Sequence, residues 1–171
     1  MNRTNLLKIS AATALALVVG AGTGVAQKKT LKEQLVGSWL MATADNMRPD
    51  GSRFQAFGPN PKGILMFDAN GWFSYQAGQP GRPKFASDNR LQGTAEENKA
   101  TVQGSLSYYG KYSVDEPDRV LHLYVESSSY PNFDGIDNKR IITSLSEDEL
   151  KWYAPAGSIG TTAEAVWKRA K

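Results

Sequence analysis

One predicted strand near the middle of the chain alternates polar and apolar residues in a way that could support acid–base chemistry. Within residues 120–126, His122, Tyr124 and Glu126 share one face, and the apolar residues that alternate with them share the other. Imidazole, phenol and carboxylate are groups that general acid–base catalysis uses. If the apolar face points into a packed core, the three polar side chains lie on the surface. If the strand lines a ligand-binding barrel with a polar interior, they line that interior, and the sequence leaves both alternatives open.

Arg140 occupies the next predicted strand, on the same face as Asn138 and Ile142. If the two strands pair, the Arg140 guanidinium and the Glu126 carboxylate can meet across them. An exposed pair of this kind contributes little to stability. A buried pair persists only when it is hydrogen-bonded, and it can then orient a ligand. The sequence leaves open whether the pair is exposed or buried.

Aromatic residues are frequent along the predicted strands. Tyrosines inside a barrel give a ligand an apolar wall with a hydroxyl group, although the same residues also serve to pack a core. Together with the polar residues above, the aromatic residues define a set of candidate ligand-binding side chains. That set is Phe73, Tyr75, Tyr112, His122, Tyr124, Glu126 and Arg140.

Recognisable catalytic and cofactor motifs are missing from the sequence. It contains no Gly-x-Ser-x-Gly, no phosphate loop and no dinucleotide-binding fingerprint. A multi-histidine metal site is excluded because His122 is the only histidine, and residues 134–137 lack the spacing of a calcium loop. We therefore assign no catalytic residue, no metal ligand and no cofactor. The chain has 20 basic and 17 acidic residues without a basic cluster, so a nucleic-acid partner is not expected.

The first residues resemble an export signal. Two basic residues precede the apolar run 9–19, and Gly-Val-Ala at 24–26 offers a small-residue cleavage site. We predict a signal peptide over 1–26 and a mature domain over 27–171, located in the periplasm or secreted. The chain contains no cysteine, so an exported domain of this sequence holds together without disulfides.

Short apolar runs separated by turn residues predict eight or nine strands. Residues 68–71, Asp-Ala-Asn-Gly, lie between two such runs and give a strong hairpin signal. Short turns between successive strands favour an antiparallel up-and-down meander, and closure into a barrel removes its exposed edges. The predicted strands cover 35–44, 53–57, 64–67, 72–76, 108–114, 120–127, 138–145, 150–154 and 162–169.

One helix interrupts the predicted strands. Thr94 followed by Glu97 has the spacing of a capping box, so we predict a helix of about ten to twelve residues. The preceding loop, 78–89, contains two prolines and, with the helix, is a candidate lid over one end of a barrel. The predicted apolar stripe of the helix consists of Val102, Leu106 and Tyr109.

The first and last predicted strands carry residues suited to closing a barrel. Gly37 and Trp39 open the first strand, and Lys168 and Arg169 close the last one. We expect the Trp39 ring to pack across one end of the barrel with the Arg169 guanidinium, or the Lys168 ammonium, on its face. The alternative is that Trp39 simply fills a core.

Several segments in the same order resemble the bacterial and fungal lipocalin-like domain family. Phe133 stands where a Trp is expected, which is a conservative departure. The resemblance implies a lipocalin-like antiparallel β-barrel and says much less about function. The matching segments are 35–39, 57–63, 82–87, 93–97 and 108–112, followed by Glu126, 131–133, Gly135 and Trp167.

Two functions are compatible with these observations. The first is a monomeric exported protein that binds a small, largely apolar molecule in the barrel cavity, with no integral membrane span in the mature chain. The alternative is a cavity-based isomerase, cyclase or hydrolase acting on an apolar metabolite, as the resemblance includes relatives from biosynthetic settings. The alternatives differ in geometry, because the enzyme requires His122 and Glu126 to point into the cavity beside Arg140.

Overall fold

The computed structural model describes residues 28–171, so the predicted signal peptide lies outside the described residues. Within them the chain forms nine strands, two short α-helices and one 3₁₀ turn. The helices are α1 (Leu31–Leu35) and α2 (Ala95–Gln103), and the 3₁₀ turn is Pro131–Phe133. The strands are β1 (Gly37–Met47), β2 (Arg53–Phe54), β3 (Lys62–Phe67), β4 (Trp72–Gly78), β5 (Ser105–Asp115), β6 (Val120–Ser128), β7 (Arg140–Leu145), β8 (Glu149–Ala154) and β9 (Thr162–Arg169).

The sheet closes on itself. Its order is β2-β1-β3-β4-β5-β6-β7-β8-β9, every pairing is antiparallel, and β1 also pairs with β9. Eight strands therefore form a closed barrel, and β2 is an additional short strand on β1. Closure satisfies the backbone groups that an open sheet would leave at its edges. The predicted all-β, up-and-down lipocalin-like barrel is confirmed, and the predicted short helix is α2.

The helix α2 begins where predicted and ends sooner. Thr94 and Glu97 form the capping box, each side chain bonding to the backbone of the other residue. The helix stops at Gln103, and the Gly104 N–H donates to the carbonyl of Ala100. The predicted helical stripe is wrong, because its last two members belong to β5, where side chains alternate between faces. Val102 is exposed, and the two that lie in β5 are Leu106 and Tyr109.

Trp39 and Arg169 lie together at one end of the barrel, which we call the closed end. Trp39 is fully buried, and its indole N–H donates to the Leu35 carbonyl over 2.8 Å. The Arg169 guanidinium carbon lies 4.0 Å from the centre of the Trp39 ring. Its Nη1 and Nη2 donate to the carbonyls of Val36 and Gln34. The Arg169 guanidinium, which lies over the Trp39 ring, therefore connects β9 to β1 and to the end of α1.

Gly37 allows this close approach. It has a φ of +125°, and a Cβ atom built there would lie 2.9 Å from Nη1 of Arg169. Any larger residue would have to adopt a backbone conformation that residues with a side chain rarely adopt. Its Cβ atom would also displace the guanidinium. The glycine, the indole and the guanidinium thus form one structural unit at the closed end.

Candidate ligand-binding cavity

A cavity of about 380 Å³ lies at the other end of the barrel. Its walls come from the second half of β1, the start of β5 and the adjoining ends of β8 and β9. Trp39 lies near the start of β1 and Arg169 at the end of β9, so the cavity and the closed end occupy opposite ends of the same barrel. We call the cavity end the open end.

Small residues on β1, β8 and β9 leave room for this cavity. Ala44 on β1 faces Ala165 on β9 in the strand register, and Ala165 also pairs with Trp152 on β8. The cavity is lined by Ala44, Trp152, Ala154 and Ala165. In a small barrel the interior is normally filled by large side chains, so a group of inward alanines leaves space.

Aromatic rings form the inner wall of the cavity. Tyr75 and Tyr108 stack with ring centres 4.5 Å apart. Phe133 lies edge-on to Tyr108 at 5.7 Å, and the Arg140 guanidinium lies 5.7 Å from the centre of the Trp152 ring. Such a wall offers a ligand a large apolar contact area with few polar groups.

Arg140 is the buried cation of the cavity, with only 6% of its surface exposed. Its Nη2 donates to the Tyr108 hydroxyl over 3.1 Å. Its Nη1 donates to the Asn138 side-chain oxygen over 2.6 Å and to the Lys139 carbonyl over 2.7 Å. All three acceptors are neutral. We call Tyr75, Tyr108 and Arg140 the Arg140 cluster.

Burial keeps both tyrosines of this cluster protonated. Desolvation raises the pKa of the Tyr75 hydroxyl far above its usual value, and the negative charge that Tyr108 would carry adds to the effect. Desolvation likewise raises the pKa of Tyr108, although the nearby Arg140 charge opposes it. Both phenols are therefore hydrogen-bonding groups at neutral pH and not general bases.

Loops at the open end form the mouth of the cavity. Phe57, Val102, Tyr130 and Ile159 come from four different connecting segments and all line it. Val102 and Ile159 are 74% and 53% exposed, so the mouth presents apolar side chains to solvent. An apolar rim of this kind suits the entry of an apolar molecule.

The predicted lid divides into two parts in the structure. The last turn of α2 contributes Thr101, Val102 and Gln103 to the cavity wall. The loop 78–89 contributes no residue to it and lies against an outer groove instead. Arg82 fixes this loop by donating from Nη1 to the Gly104 carbonyl over 3.2 Å.

His122, Tyr124 and Glu126 lie on the outer face of β6, away from the cavity. The Nδ1 of His122 lies 2.8 Å from an Asp137 carboxylate oxygen, and its ring stacks on Tyr124. Tyr124 and Glu126 are exposed, whereas the alternating apolar residues of β6 are buried. The three polar side chains therefore lie on the surface, and the apolar face of β6 points into the core. The sequence had left open whether these polar side chains lie on the surface or line the interior.

Arg140 and Glu126 do not meet across β6 and β7. Arg140 pairs with Leu121 across β6 and β7, and antiparallel partners point to the same face of a sheet. Leu121 points inward, so Arg140 also points inward, while Glu126 lies on the opposite face of β6. Arg140 finds its partner on β5 instead, at the Tyr108 hydroxyl.

Phe73 and Tyr112 are buried in the core and are not part of the cavity wall. Both lie nearer the closed end, which is where β4 begins and β5 ends. Phe73 is the second residue of β4, and Tyr112 lies three residues before the end of β5. The Tyr112 hydroxyl donates to the Asp68 carbonyl in the β3–β4 turn over 2.8 Å. Of the predicted ligand-binding residues, Tyr75 and Arg140 are the two that line the cavity.

Sequence reasoning missed Tyr108, Phe133 and Trp152 as members of the cavity wall. In β5 the Tyr108 side chain points inward and those of its two neighbours point outward. The predicted helical stripe through Leu106 and Tyr109 obscured this alternation. The signal that would have located the cavity is the inward pair Ala163 and Ala165 in the last strand, where small side chains replace the large ones of a filled barrel.

In the part of the chain that the structure describes, no group of three or more His, Asp or Glu side chains is arranged to hold a metal ion. Over residues 28–171, no helix is both long enough and apolar enough to cross a membrane.

Eight antiparallel strands that close on themselves define the class of small up-and-down β-barrels. Residues 36–170 match the family described as the lipocalin-like domain. The match covers most of the chain, and the protein belongs to this family.

The chain is also similar to two known proteins. It is 36% identical over 78 residues to the 4'-hydroxy-3'-methoxypropiophenone carrier protein ppsC of Aspergillus oryzae, a match that covers 40% of this chain and 68% of that protein. Among solved structures it is similar to a redesigned β-barrel, with a TM-score of 0.43, 15% identity, and coverage of 82% of this chain and 95% of that one.

Proposed function

We propose that this protein binds a small, largely apolar molecule in the cavity at the open end of the barrel and releases it unchanged. The observation that carries the proposal is the cavity itself, whose volume of about 380 Å³ falls within the range usual for small-molecule sites. Aromatic and aliphatic side chains form most of its wall, and the Arg140 cluster supplies a few polar groups that can orient a ligand.

The similarity to a carrier protein supports this proposal. The Aspergillus oryzae relative is named as the carrier of a propiophenone, which is an aromatic ketone. An aromatic molecule of that size class suits a wall formed by Tyr75, Tyr108 and Trp152, because rings prefer stacked or edge-on contacts with other rings. We propose that the cargo of this protein also contains an aromatic or alicyclic ring.

The enzyme alternative finds no support in the cavity. His122 and Glu126, the two general bases that motivated it, lie on the outer face of β6. Inside the cavity, the raised pKa values keep Tyr75 and Tyr108 protonated at neutral pH. We therefore propose binding and not turnover. We also propose that the protein acts as a monomer after export, in the periplasm or outside the cell.

Fluorescence titration with the neutral apolar dye N-phenyl-1-naphthylamine tests the binding proposal. We expect saturable, one-to-one enhancement of dye emission by the native protein. Ala165→Phe places a ring inside the cavity and is expected to weaken dye binding at least about tenfold, because it removes the space the dye occupies.

Val166→Phe is the matched control. It adds the same ring at the next position of β9, where the side chain points to the other face and does not line the cavity. It is expected to retain native dye binding. If the native protein does not bind the dye, or if both variants lose binding equally while folded, the cavity is not the binding site.

A further inference from the structure

The Arg140 cluster contains a positive charge without a negative partner. Arg140 is 94% buried, and it takes part in no salt bridge among the described residues. A buried guanidinium normally has an acidic partner, because the desolvation of an unpaired charge costs several kcal/mol. The other charged residue of the cavity wall, Glu164, is exposed at the rim and contacts Arg53 at 3.4 Å. It does not supply the missing negative charge.

The hydrogen bonds of Arg140 leave donors unused. A guanidinium carries five N–H groups, and the three bonds of Arg140 use both hydrogens of Nη1 and one of Nη2. The Nε hydrogen and the second Nη2 hydrogen have no acceptor among residues 28–171.

The two tyrosines add further donors at the same place. Tyr108 accepts from Arg140 with its oxygen, so its own hydroxyl hydrogen is still available. The stacked Tyr75 hydroxyl has no hydrogen-bond partner among the described residues, and the charge of Arg140 acts on it. The cluster therefore presents several unused donor hydrogens around one buried positive charge.

We propose that the Arg140 cluster binds the carboxylate of an apolar monocarboxylate whose ring lies against the aromatic wall. This proposal rests on the proposed binding function and names the class of its ligand. A carboxylate accepts hydrogen bonds and donates none, carries the charge that the guanidinium lacks, and matches its planar fork. An amide or an alcohol can form hydrogen bonds with the cluster, but it brings no negative charge to balance the guanidinium. An ammonium group is repelled by Arg140.

Isothermal titration calorimetry with a matched pair of ligands tests this proposal on the native protein. The pair is trans-cinnamate and trans-cinnamamide, which have the same shape and differ in the charge of the head group. We expect cinnamate to bind about tenfold to a hundredfold more tightly than cinnamamide, as is usual for hydrogen bonds to a charged group in a buried site.

Two variants locate the preference. Arg140→Met removes the charge and keeps much of the side-chain volume, and we expect it to abolish the preference for cinnamate. Lys139→Met removes one positive charge at the next position, where the side chain is exposed and contacts Asp137, and it is expected to keep the preference. Should Arg140→Met not fold, Tyr108→Phe removes one donor of the same cluster and is expected to reduce the preference.

The outcomes separate this proposal from the proposed function. Equal affinity for the two ligands, or failure of both to bind a protein that binds N-phenyl-1-naphthylamine, overturns the carboxylate site and leaves the apolar cavity in place. A preference that survives in folded Arg140→Met also overturns it. Failure of the native protein to bind the neutral dye counts against the proposed binding function itself.

Discussion

The Nη2 atom of Arg140 donates a hydrogen bond of 3.1 Å to the Tyr108 hydroxyl inside the barrel. Arg140 begins β7 and Tyr108 lies in β5, and β6 separates the two strands in the sheet. The bond therefore spans β6 on the inner face of the barrel and joins two strands that do not pair with each other. It fixes a charged group at the inner wall of a cavity that is otherwise largely apolar.

Tyr108→Phe is expected to lower the free energy of unfolding by about 1–2 kcal/mol, because it removes a neutral acceptor from a buried guanidinium. Tyr75→Phe is the control, since the Tyr75 hydroxyl makes no hydrogen bond to the described residues, and it should cost clearly less. Urea denaturation of the two variants measures the difference. Equal losses would show that the bond to Arg140 contributes nothing particular.

Arg169→Ala is expected to lower the free energy of unfolding by about 2 kcal/mol, because it removes the cation over Trp39 and the hydrogen bonds to the carbonyls of Gln34 and Val36. Lys168→Ala removes the neighbouring basic residue, whose exposed ion pair with Glu149 contributes little. Ligand binding at the open end should survive in Arg169→Ala. A loss no larger than that of Lys168→Ala would contradict the closing role of Arg169.

Stability is expected to fall as the pH rises above about 10, the usual pKa of tyrosine. Burial raises the pKa values of Tyr75 and Tyr108, so the folded protein keeps protons that the unfolded chain releases, and alkaline pH favours unfolding. Urea denaturation at several alkaline pH values measures the slope. We expect Tyr75→Phe to reduce the slope of the unfolding free energy against pH by the contribution of one proton. An unchanged slope would show that Tyr75 does not hold its proton more tightly in the folded protein.

Export predicts a defined N-terminus. Expression of the full chain in a Gram-negative host, followed by fractionation and intact-mass spectrometry, is expected to give a periplasmic or secreted protein that begins at Gln27. Replacement of Ala26 by Glu should block cleavage, because the signal requires a small residue there. A cytoplasmic product that retains residues 1–26 would contradict export.

The local elements of the barrel could be predicted because their signals lie within a few residues. The hairpin at residues 68–71 joins β3 and β4 as the sequence indicates, and the capping box at Thr94 begins α2. The end of α2 was misplaced because Val102, Leu106 and Tyr109 have helical spacing, although two of them lie in β5. Barrel closure and the pairing of β5 override a pattern of only three residues.

The cavity was harder to predict because its residues come from distant strands. Arg140 was selected from the sequence, but its partner Tyr108 lies 32 residues away on a strand that is not its neighbour. His122 and Glu126 alternate with apolar residues, and the sequence alone does not establish which face of β6 points inward. The pairing of Arg140 with the buried Leu121 decides it, and that register exists only in the folded sheet.

NMR spectroscopy of isotope-labelled protein tests the claim that the open end of the barrel holds an apolar molecule. Titration with N-phenyl-1-naphthylamine is expected to shift the signals of Ala44, Tyr75 and Ala165, which line the cavity, and to leave those of Trp39 at the closed end unchanged. Nuclear Overhauser contacts between the dye and the two alanine methyl groups would place the ligand inside. Shifts confined to the outer face around His122 and Tyr124, or no shifts at all, would contradict the claim.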